Sequence, residues 1–213
     1  MQYLRQNQVI KSDEVLEAME QVDRADYCNT NPYIDSPQLI GYNVTISAPH
    51  MHAISLEFLK DHLKNAKRVL DIGSGTGFLT VAMFRMMKNK DAVSYGVEHI
   101  QELVDQSIEN IKKKDKELLD SKKVQIFCGD GRKGLPKYGP YDCIHVGAAP
   151  EKIPQELLDQ LAKGGRMVIP VGSELAGQEF QVVDKDYNGQ ITSKSVLGVR
   201  YVPLTSREQQ IKY

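Results

Sequence analysis

The chain has 213 residues, 41% of them hydrophobic, enough to bury one sizeable core without disulfides or metals. Lys and Arg number 27 against 28 Asp and Glu, so a formal charge of -1 gives no global field toward nucleic acid or an anionic membrane, and recognition must be local. Cys28, Cys128 and Cys143 are widely spaced with no CxxC pair, which suits free thiols in a reducing compartment. The N-terminus has no apolar signal region, and no stretch approaches the roughly 18 apolar residues of a membrane span. A cytoplasmic, monomeric protein without nucleic-acid or membrane partners is expected.

In chain order, residues 1–30 read as helical: Ser12 suits an N-cap, Asp13 and Glu14 the first turn, and Val15, Leu16, Met19 and Val22 recur at helical spacing. Residues 28–45, with Pro32, Pro37 and Gly41, read as loop. After Pro49 a helix is predicted with Ile54, Phe58, Leu59 and Leu63 as its apolar stripe. From Arg68 short apolar runs alternate with amphipathic stretches: RVLDI, residues 78–88, SYGVE, residues 100–119, VQIFC, YDCIHVG, residues 154–161 and RMVIPVG. This alternation predicts an α/β fold, a doubly wound and mostly parallel sheet covered by helices. EFQVVDKDY and QITSKSVLGV flank Asn188-Gly189, a hairpin signal, so the parallel core is expected to end in an antiparallel edge. Lys112, Lys113, Lys114 and Lys116 read as a solvated helix face. The chain is taken as one domain with an N-terminal helical covering segment (1–66), a ligand-binding core (67–171) and a C-terminal antiparallel part with its tail (172–213).

The sharpest motif is Asp71-Ile72-Gly73-Ser74-Gly75-Thr76-Gly77, directly after one predicted strand and directly before a helix. Glycines there admit unusual dihedrals and let a ligand approach the backbone, while the free N–H groups of the helix start face outward. The spacing is GxGxG, against the GxGxxG of dinucleotide folds, and no Walker-type GK[ST] follows. Glu98 closes the next strand 21 residues beyond Gly77, where doubly wound folds place the acid that accepts from a ribose diol. The third strand ends in Gly129-Asp130, on the same rim and suited to the adenine end of a pocket. His50 and His52 lack further ligands at metal spacing, so no metal site is expected, and no GxSxG elbow marks a hydrolase.

These three rim sites resemble the class I S-adenosylmethionine methyltransferases, with a Rossmann-like fold. NPYIDSPQLIGYNVTISAPHMHA, DCIHVGAAP and VRYVPLT then narrow the resemblance to the protein-L-isoaspartate (D-aspartate) O-methyltransferase family, from about Leu4 to Gln210. The resemblance implies S-adenosyl-L-methionine as methyl donor, S-adenosyl-L-homocysteine as product, and repair methylation of isoaspartyl peptides and proteins. It also implies that Ser47 is the catalytic-site hydroxyl and, with Thr45, Ile46 and His52, lies around the cofactor. Thr76, Glu98, Gly129, Asp130, Thr205 and Gln210 match further positions that contact or enclose it, and some relatives carry Asp at position 98. Read from the residues alone, Ser47 is a helix-start residue before Pro49. A methyltransferase acting on a small molecule or RNA is the alternative that fold alone admits, although the near-zero charge and the TISAPHMHA segment count against it.

Overall fold

The computed structural model describes residues 1–173 and 175–211. Helices α1 (Gln2–Gln6), α2 (Asp13–Gln21) and α3 (Pro49–Leu63) precede the core, with a two-stranded ribbon, β1 (Gln38–Gly41) and β2 (Val44–Ile46), between the last two. The core follows as β3 (Arg68–Ile72), α4 (Phe78–Met86), β4 (Val93–Glu98), α5 (Gln101–Asp120), β5 (Val124–Cys128), β6 (Tyr141–Val146), α6 (Gln155–Gln160), β7 (Leu161–Ser173), β8 (Gly177–Lys185), β9 (Ile191–Val199) and α7 (Arg207–Ile211). The seven-stranded sheet runs β5-β4-β3-β6-β7-β8-β9, parallel up to β7 and antiparallel from β7 to β9. This is the expected doubly wound sheet with its antiparallel edge, and the chain reverses direction of travel across the sheet between β3 and β6.

The side-chain alternation of strands sorts the core onto two faces. Leu70, Ile72, Tyr95, Val97, Ile144, Val146, Met167 and Ile169 form one apolar cluster. Val69, Cys143 and Val168 point the other way, into a second cluster that includes Leu4, Val15 and Met19 from the N-terminal helices and Tyr201 from the C-terminal segment. Strands covered on both faces read as unbroken apolar runs, which is why these were found in the sequence.

Several local expectations need correction. The N-terminal 30 residues are α1 and α2 separated by a turn, with Gln8 at φ +57°, followed by a 3-10 turn at Arg24–Asp26. Ser12 is the N-cap of α2, but its hydroxyl does not cap; it donates to Glu57 Oε1 at 2.9 Å, as do the Lys11 and Ser12 N–H groups at 2.7 and 2.8 Å. Residues 38–46 are the β1–β2 ribbon and not loop, turning where Tyr42 and Asn43 take φ of +54° and +56°. In α3 the deepest residues are Ala53, Leu56, Leu59 and Leu63, while Ile54 and Phe58 are only half-buried. The β8–β9 turn forms at Asn188-Gly189, but only Gly189 takes a positive φ, +93°, and the Asp186 carboxylate organises it by accepting from the Asn188 and Gln190 N–H groups, both at 2.8 Å. The lysine cluster is the exposed helix face expected, and it carries surface pairs as well: Lys112 meets Glu109, Lys116 meets Asp120, and Lys113 and Lys114 reach Asp26.

Among the described residues no helix is long and apolar enough to cross a membrane, and no group of His, Cys, Asp and Glu is placed to hold a metal ion. Cys28 and Cys143 are buried, Cys128 is exposed, and all three are free.

Candidate active site

In α/β sheets ligands bind at the carboxyl ends of strands where the strand order reverses. Here that point lies between β3 and β6, and the glycine loop leaves β3 directly above it. Gly73, Gly75 and Gly77 have φ of +72°, +51° and +94°, conformations that side chains resist. The loop is pinned: the Gly73 and Ser74 N–H groups donate to Val97 O at 2.9 and 3.1 Å, and Gly147 N–H donates to Ile72 O at 2.8 Å. Gly77 is the N-cap of α4, and a Cβ there would lie 3.3 Å from Ser107 Cβ, so this glycine serves packing against α5.

Register then sets the buried polar group beneath the loop. Asp71 of β3 pairs with His145 of β6, and both point to the α3–α4 side. Asp71 Oδ1 meets His145 Nδ1 at 2.8 Å and Oδ2 accepts from Thr80 at 2.6 Å, so each oxygen of this 1%-exposed carboxylate already has a protein partner. Glu98 ends β4. Its Oε1 accepts from the His99 and Ile100 N–H groups at 2.8 and 3.1 Å, fixing the turn that leads into α5, and Oε2 accepts from Gly75 N–H at 3.1 Å. One carboxylate thus ties the second strand to the glycine loop.

The upper wall comes from the N- and C-terminal segments. The β1–β2 ribbon lies over the loop, since a Cβ on Gly75 would meet Ile40 Cδ1 at 3.1 Å. Gln210 of α7, itself buried, donates to Asn43 O at 2.8 Å and fastens the ribbon's turn. β2 delivers Thr45, Ile46 and then Ser47 to the cleft. Ser47 does not cap α3, whose N-cap is Ala48; its carbonyl accepts from Arg24 Nη2 at 2.7 Å. His52, one turn into α3, stacks on Phe78 with centroids 5.0 Å apart and faces Arg24 Nη1 through Nδ1 at 3.3 Å. An arginine can only donate, so Nδ1 accepts and the proton sits on Nε2. Burial first, then the charge of Arg24, holds His52 well below its ordinary 6.5 and keeps it neutral.

Three adjoining spaces result. The first, under the ribbon, is lined by Thr45, Ile46, Ser47, His52, Asp71, Gly73, Gly75 and Thr76. A second, toward β4, is lined by Thr45, Gly73, Glu98, Gly131, Thr205 and Gln210. The third, of about 180 Å³, opens beside Ser47 and is walled by Met51, Gly147, Arg200, Tyr201 and Val202. Of the residues singled out in the sequence, Gly77, Gly129 and Asp130 line none of these. Asp130 instead caps the short turn at Gly131–Lys133, accepting from Arg132 N–H at 3.0 Å and pairing with its guanidinium at 2.7 Å; Gly131 is the residue that faces the cleft.

Sequence reasoning passed over Arg24 and Tyr201. The Tyr201 phenol is held well above its ordinary 10 by burial, with Ser47 the neighbouring polar group that opposes the shift, and its hydroxyl has no well-formed hydrogen bond among the described residues. Gln178 holds the Tyr201 backbone from both sides, accepting from its N–H at 2.6 Å and donating to its carbonyl at 3.0 Å. VRYVPLT was noted as a pattern, but nothing local marks Gln178 as its clamp.

The cleft fits S-adenosylmethionine. Ser74 and Thr76 are among the residues that line the first space, although their hydroxyl oxygens are buried and have no partner among the described residues. The glycine backbone leaves room for close approach, and Glu98 brings a buried carboxylate suited to a diol.

A sequence model of the protein-L-isoaspartate(D-aspartate) O-methyltransferase (PCMT) family matches residues 1–209. Protein-L-isoaspartate O-methyltransferase 1 of Arabidopsis thaliana is 50% identical over 212 residues, covering 98% of this chain and 91% of that one. The protein-L-isoaspartate O-methyltransferase of Caenorhabditis elegans is 49% identical over 207 residues, covering 97% and 91%. A Plasmodium falciparum protein described as a protein-L-isoaspartate O-methyltransferase, solved in complex with S-adenosyl-L-homocysteine, superposes with a TM-score of 0.88 at 37% identity, covering 96% of this chain and 95% of that one. Agreement of this kind runs through the N-terminal cover, the glycine-loop core and the C-terminal edge alike, and the chain belongs to the protein-L-isoaspartate(D-aspartate) O-methyltransferase family.

Proposed function

We propose that the protein transfers the methyl group of S-adenosylmethionine to the α-carboxylate of L-isoaspartyl residues, and to the β-carboxylate of D-aspartyl residues, in damaged peptides and proteins. The observation that carries this reading is that Ser47 lines both the glycine-loop cleft and the neighbouring cavity, so one hydroxyl borders a donor space and an acceptor space. Whole-length relatives named for this activity support it. Glu98 would hold the ribose diol, with Thr45, Ile46, His52, Gly73, Gly75 and Thr76 around the amino-acid part and Thr205 and Gln210 over the top. Asp71 would act by orienting His145 and Thr80, whereas Gly77, Gly129 and Asp130 would shape the loops that bear the contact residues. When bound, the cofactor supplies an already activated sulfonium methyl.

The chain's own contribution is placement and dehydration. A carboxylate with an ordinary pKa of about 3.7 is ionised at pH 7 and needs no general base. Ser47, and Tyr201 as a second neutral hydroxyl, would hold one carboxylate oxygen and aim the other, without the charge quenching that direct contact with Lys or Arg brings. The ribbon and α7 would exclude water, whose hydrogen bonds otherwise shield the nucleophile. In the α-methyl ester the neighbouring backbone nitrogen can attack the ester carbonyl, lose its proton and expel methanol, a departure that the carboxylate does not offer, and the resulting succinimide is hydrolysed in part to normal aspartate. We read the whole chain as a single methyltransferase domain that works as a cytoplasmic monomer and takes no nucleic acid. The test is to incubate an isoaspartyl peptide with the protein and S-adenosylmethionine and follow masses and retention: a methyl ester, then a succinimide, then the aspartyl peptide are expected. A peptide that stays unmethylated with folded, cofactor-bound protein contradicts the proposal.

A further inference from the structure

Arg24 is among the largest fully buried side chains, 1% exposed, yet none of the ion pairs among the described residues includes it. The acids nearest it in sequence turn elsewhere, Asp23 and Asp26 to Lys114 and Asp35 to His50. The groups in contact with it are neutral: the Ser47 carbonyl at 2.7 Å, His52 Nδ1 at 3.3 Å and the Phe78 ring, 5.7 Å from the guanidinium carbon to the centroid; the Asp35 carboxylate supports its charge only through space, without an ion pair. Nε has no partner among the described residues. Burial lowers the guanidinium only to about 10, so the charge persists at pH 7.

A buried charge is ordinarily matched by an opposite one, because an ion moved out of water without a counter-ion costs several kcal/mol. If Arg24 served only to hold a backbone carbonyl and a histidine, a neutral amide would do as well. The charge sits one peptide group from the Ser47 hydroxyl, and that hydroxyl borders the cavity where, on the reading above, an anion arrives.

We propose that Arg24 is the counter-charge of the substrate carboxylate, a positioning residue that acts through the Ser47 peptide and across the short distance behind it. It makes the Ser47 cavity selective for an anionic group over a neutral isostere. It also ties affinity to reaction progress. As the carboxylate oxygen bonds the methyl carbon and the carbon–sulfur bond breaks, with its electron pair returning to sulfur, the negative charge on the substrate disappears. The neutral ester no longer answers to Arg24 and leaves more readily than the carboxylate it came from.

This inference rests on the carboxylate-methylation reading, and the experiment separates the two. Dissociation constants are measured in the S-adenosylhomocysteine complex, where no sulfonium charge contributes, for an isoaspartyl peptide and for the same peptide with the α-carboxylate replaced by carboxamide. Wild type should favour the carboxylate by about tenfold or more, the attraction of a charge pair about 12 Å apart at an effective dielectric of about 20 and more if the two lie closer. Arg24→Gln should bring that ratio to within about threefold of one by weakening the carboxylate alone, and Arg24→Lys should largely retain it. A ratio unchanged in Arg24→Gln, or both peptides weakened equally, overturns the proposal. So does a wild-type ratio near one, with no variant required. An isoaspartyl peptide that wild type neither binds nor methylates would instead refute the reading beneath it.

Discussion

Replacing Glu98 separates its two tasks. In Glu98→Gln the shape persists and one oxygen becomes an amide NH2, while His99 and Ile100 N–H can keep the remaining oxygen that now accepts from them at 2.8 and 3.1 Å. The NH2 then confronts either Gly75 N–H, a donor now 3.1 Å from Oε2, or the ribose hydroxyls. Losing a charge-assisted acceptor typically costs about 1.5 to 3 kcal/mol, or about 10- to 150-fold in Kd for S-adenosylhomocysteine. Stability should fall less than in Glu98→Ala, because only the Gly75 N–H loses its acceptor. Glu98→Ala, by contrast, strips all three N–H groups of their acceptor in a site only 4% exposed, and should lower unfolding free energy by about 2 to 4 kcal/mol as well. At about 2 to 4 °C per kcal/mol for a chain of this size, the second loss is visible in a melting curve. Calorimetric titration with S-adenosylhomocysteine and thermal unfolding of both variants read the two effects. A Glu98→Gln protein that binds within about twofold of wild type would remove Glu98 from the ribose and leave it only the loop and the α5 start.

Ser47→Ala should cut kcat by about 10- to 1000-fold, and Tyr201→Phe by about tenfold, with S-adenosylhomocysteine affinity nearly unchanged; wild-type turnover in either folded variant removes that hydroxyl from carboxylate placement. Gly77→Ala should destabilise by about 1 to 3 kcal/mol in urea unfolding, because φ is +94° and the new methyl meets Ser107 and Ile111 at 3.3 and 3.4 Å; equal stability would contradict that packing. Glu57 tests the N-terminal attachment: burial alone would raise its pKa, but the N–H groups of Ser12 and Lys11 and the Ser12 hydroxyl override it and hold the carboxyl below its ordinary 4.5. Unfolded chains then protonate Glu57 first, so its stabilisation is full above 4.5 and fades as pH falls through the lower folded value. The stability gap between wild type and Glu57→Gln should therefore shrink from pH 7 to about pH 3, and a constant or widening gap would show that the sign is wrong.

The strands β3, β4 and β6 were legible because burial on both faces leaves a mostly apolar run, and the glycine loop because positive φ at three alternating positions demands glycine. Glu98 was legible by its distance from that loop. The β1–β2 ribbon was not: it is three or four residues a side, exposes Leu39, and is held by Ile40 resting on Gly75 and by Gln210 reaching Asn43 across 167 positions. Contacts so distant in sequence leave no local signature. Arg24 escaped notice for a related reason, since an arginine between two aspartates looks solvated until the fold turns both acids toward Lys114. At Gly129-Asp130-Gly131 the rim position was legible, while the short turn that pairs Asp130 with Arg132 and leaves Gly131 lining the cleft was not.

The functional assignment stands most directly on discrimination between two peptides of identical composition and charge, one with isoaspartate and one with aspartate at the same position. Only geometry separates them: the isoaspartyl chain runs through the side-chain carbonyl and leaves the α-carboxylate as a short branch. A cavity between Ser47 and the Arg200–Val202 backbone that accepts that branch would hold the normal side chain off line, and misplacement by about 1 Å can cost about 100-fold in rate. Measured at saturating S-adenosylmethionine, kcat/KM should favour the isoaspartyl peptide by at least about 100-fold. Comparable values for the two peptides would contradict the repair assignment while leaving the methyltransferase fold as it stands.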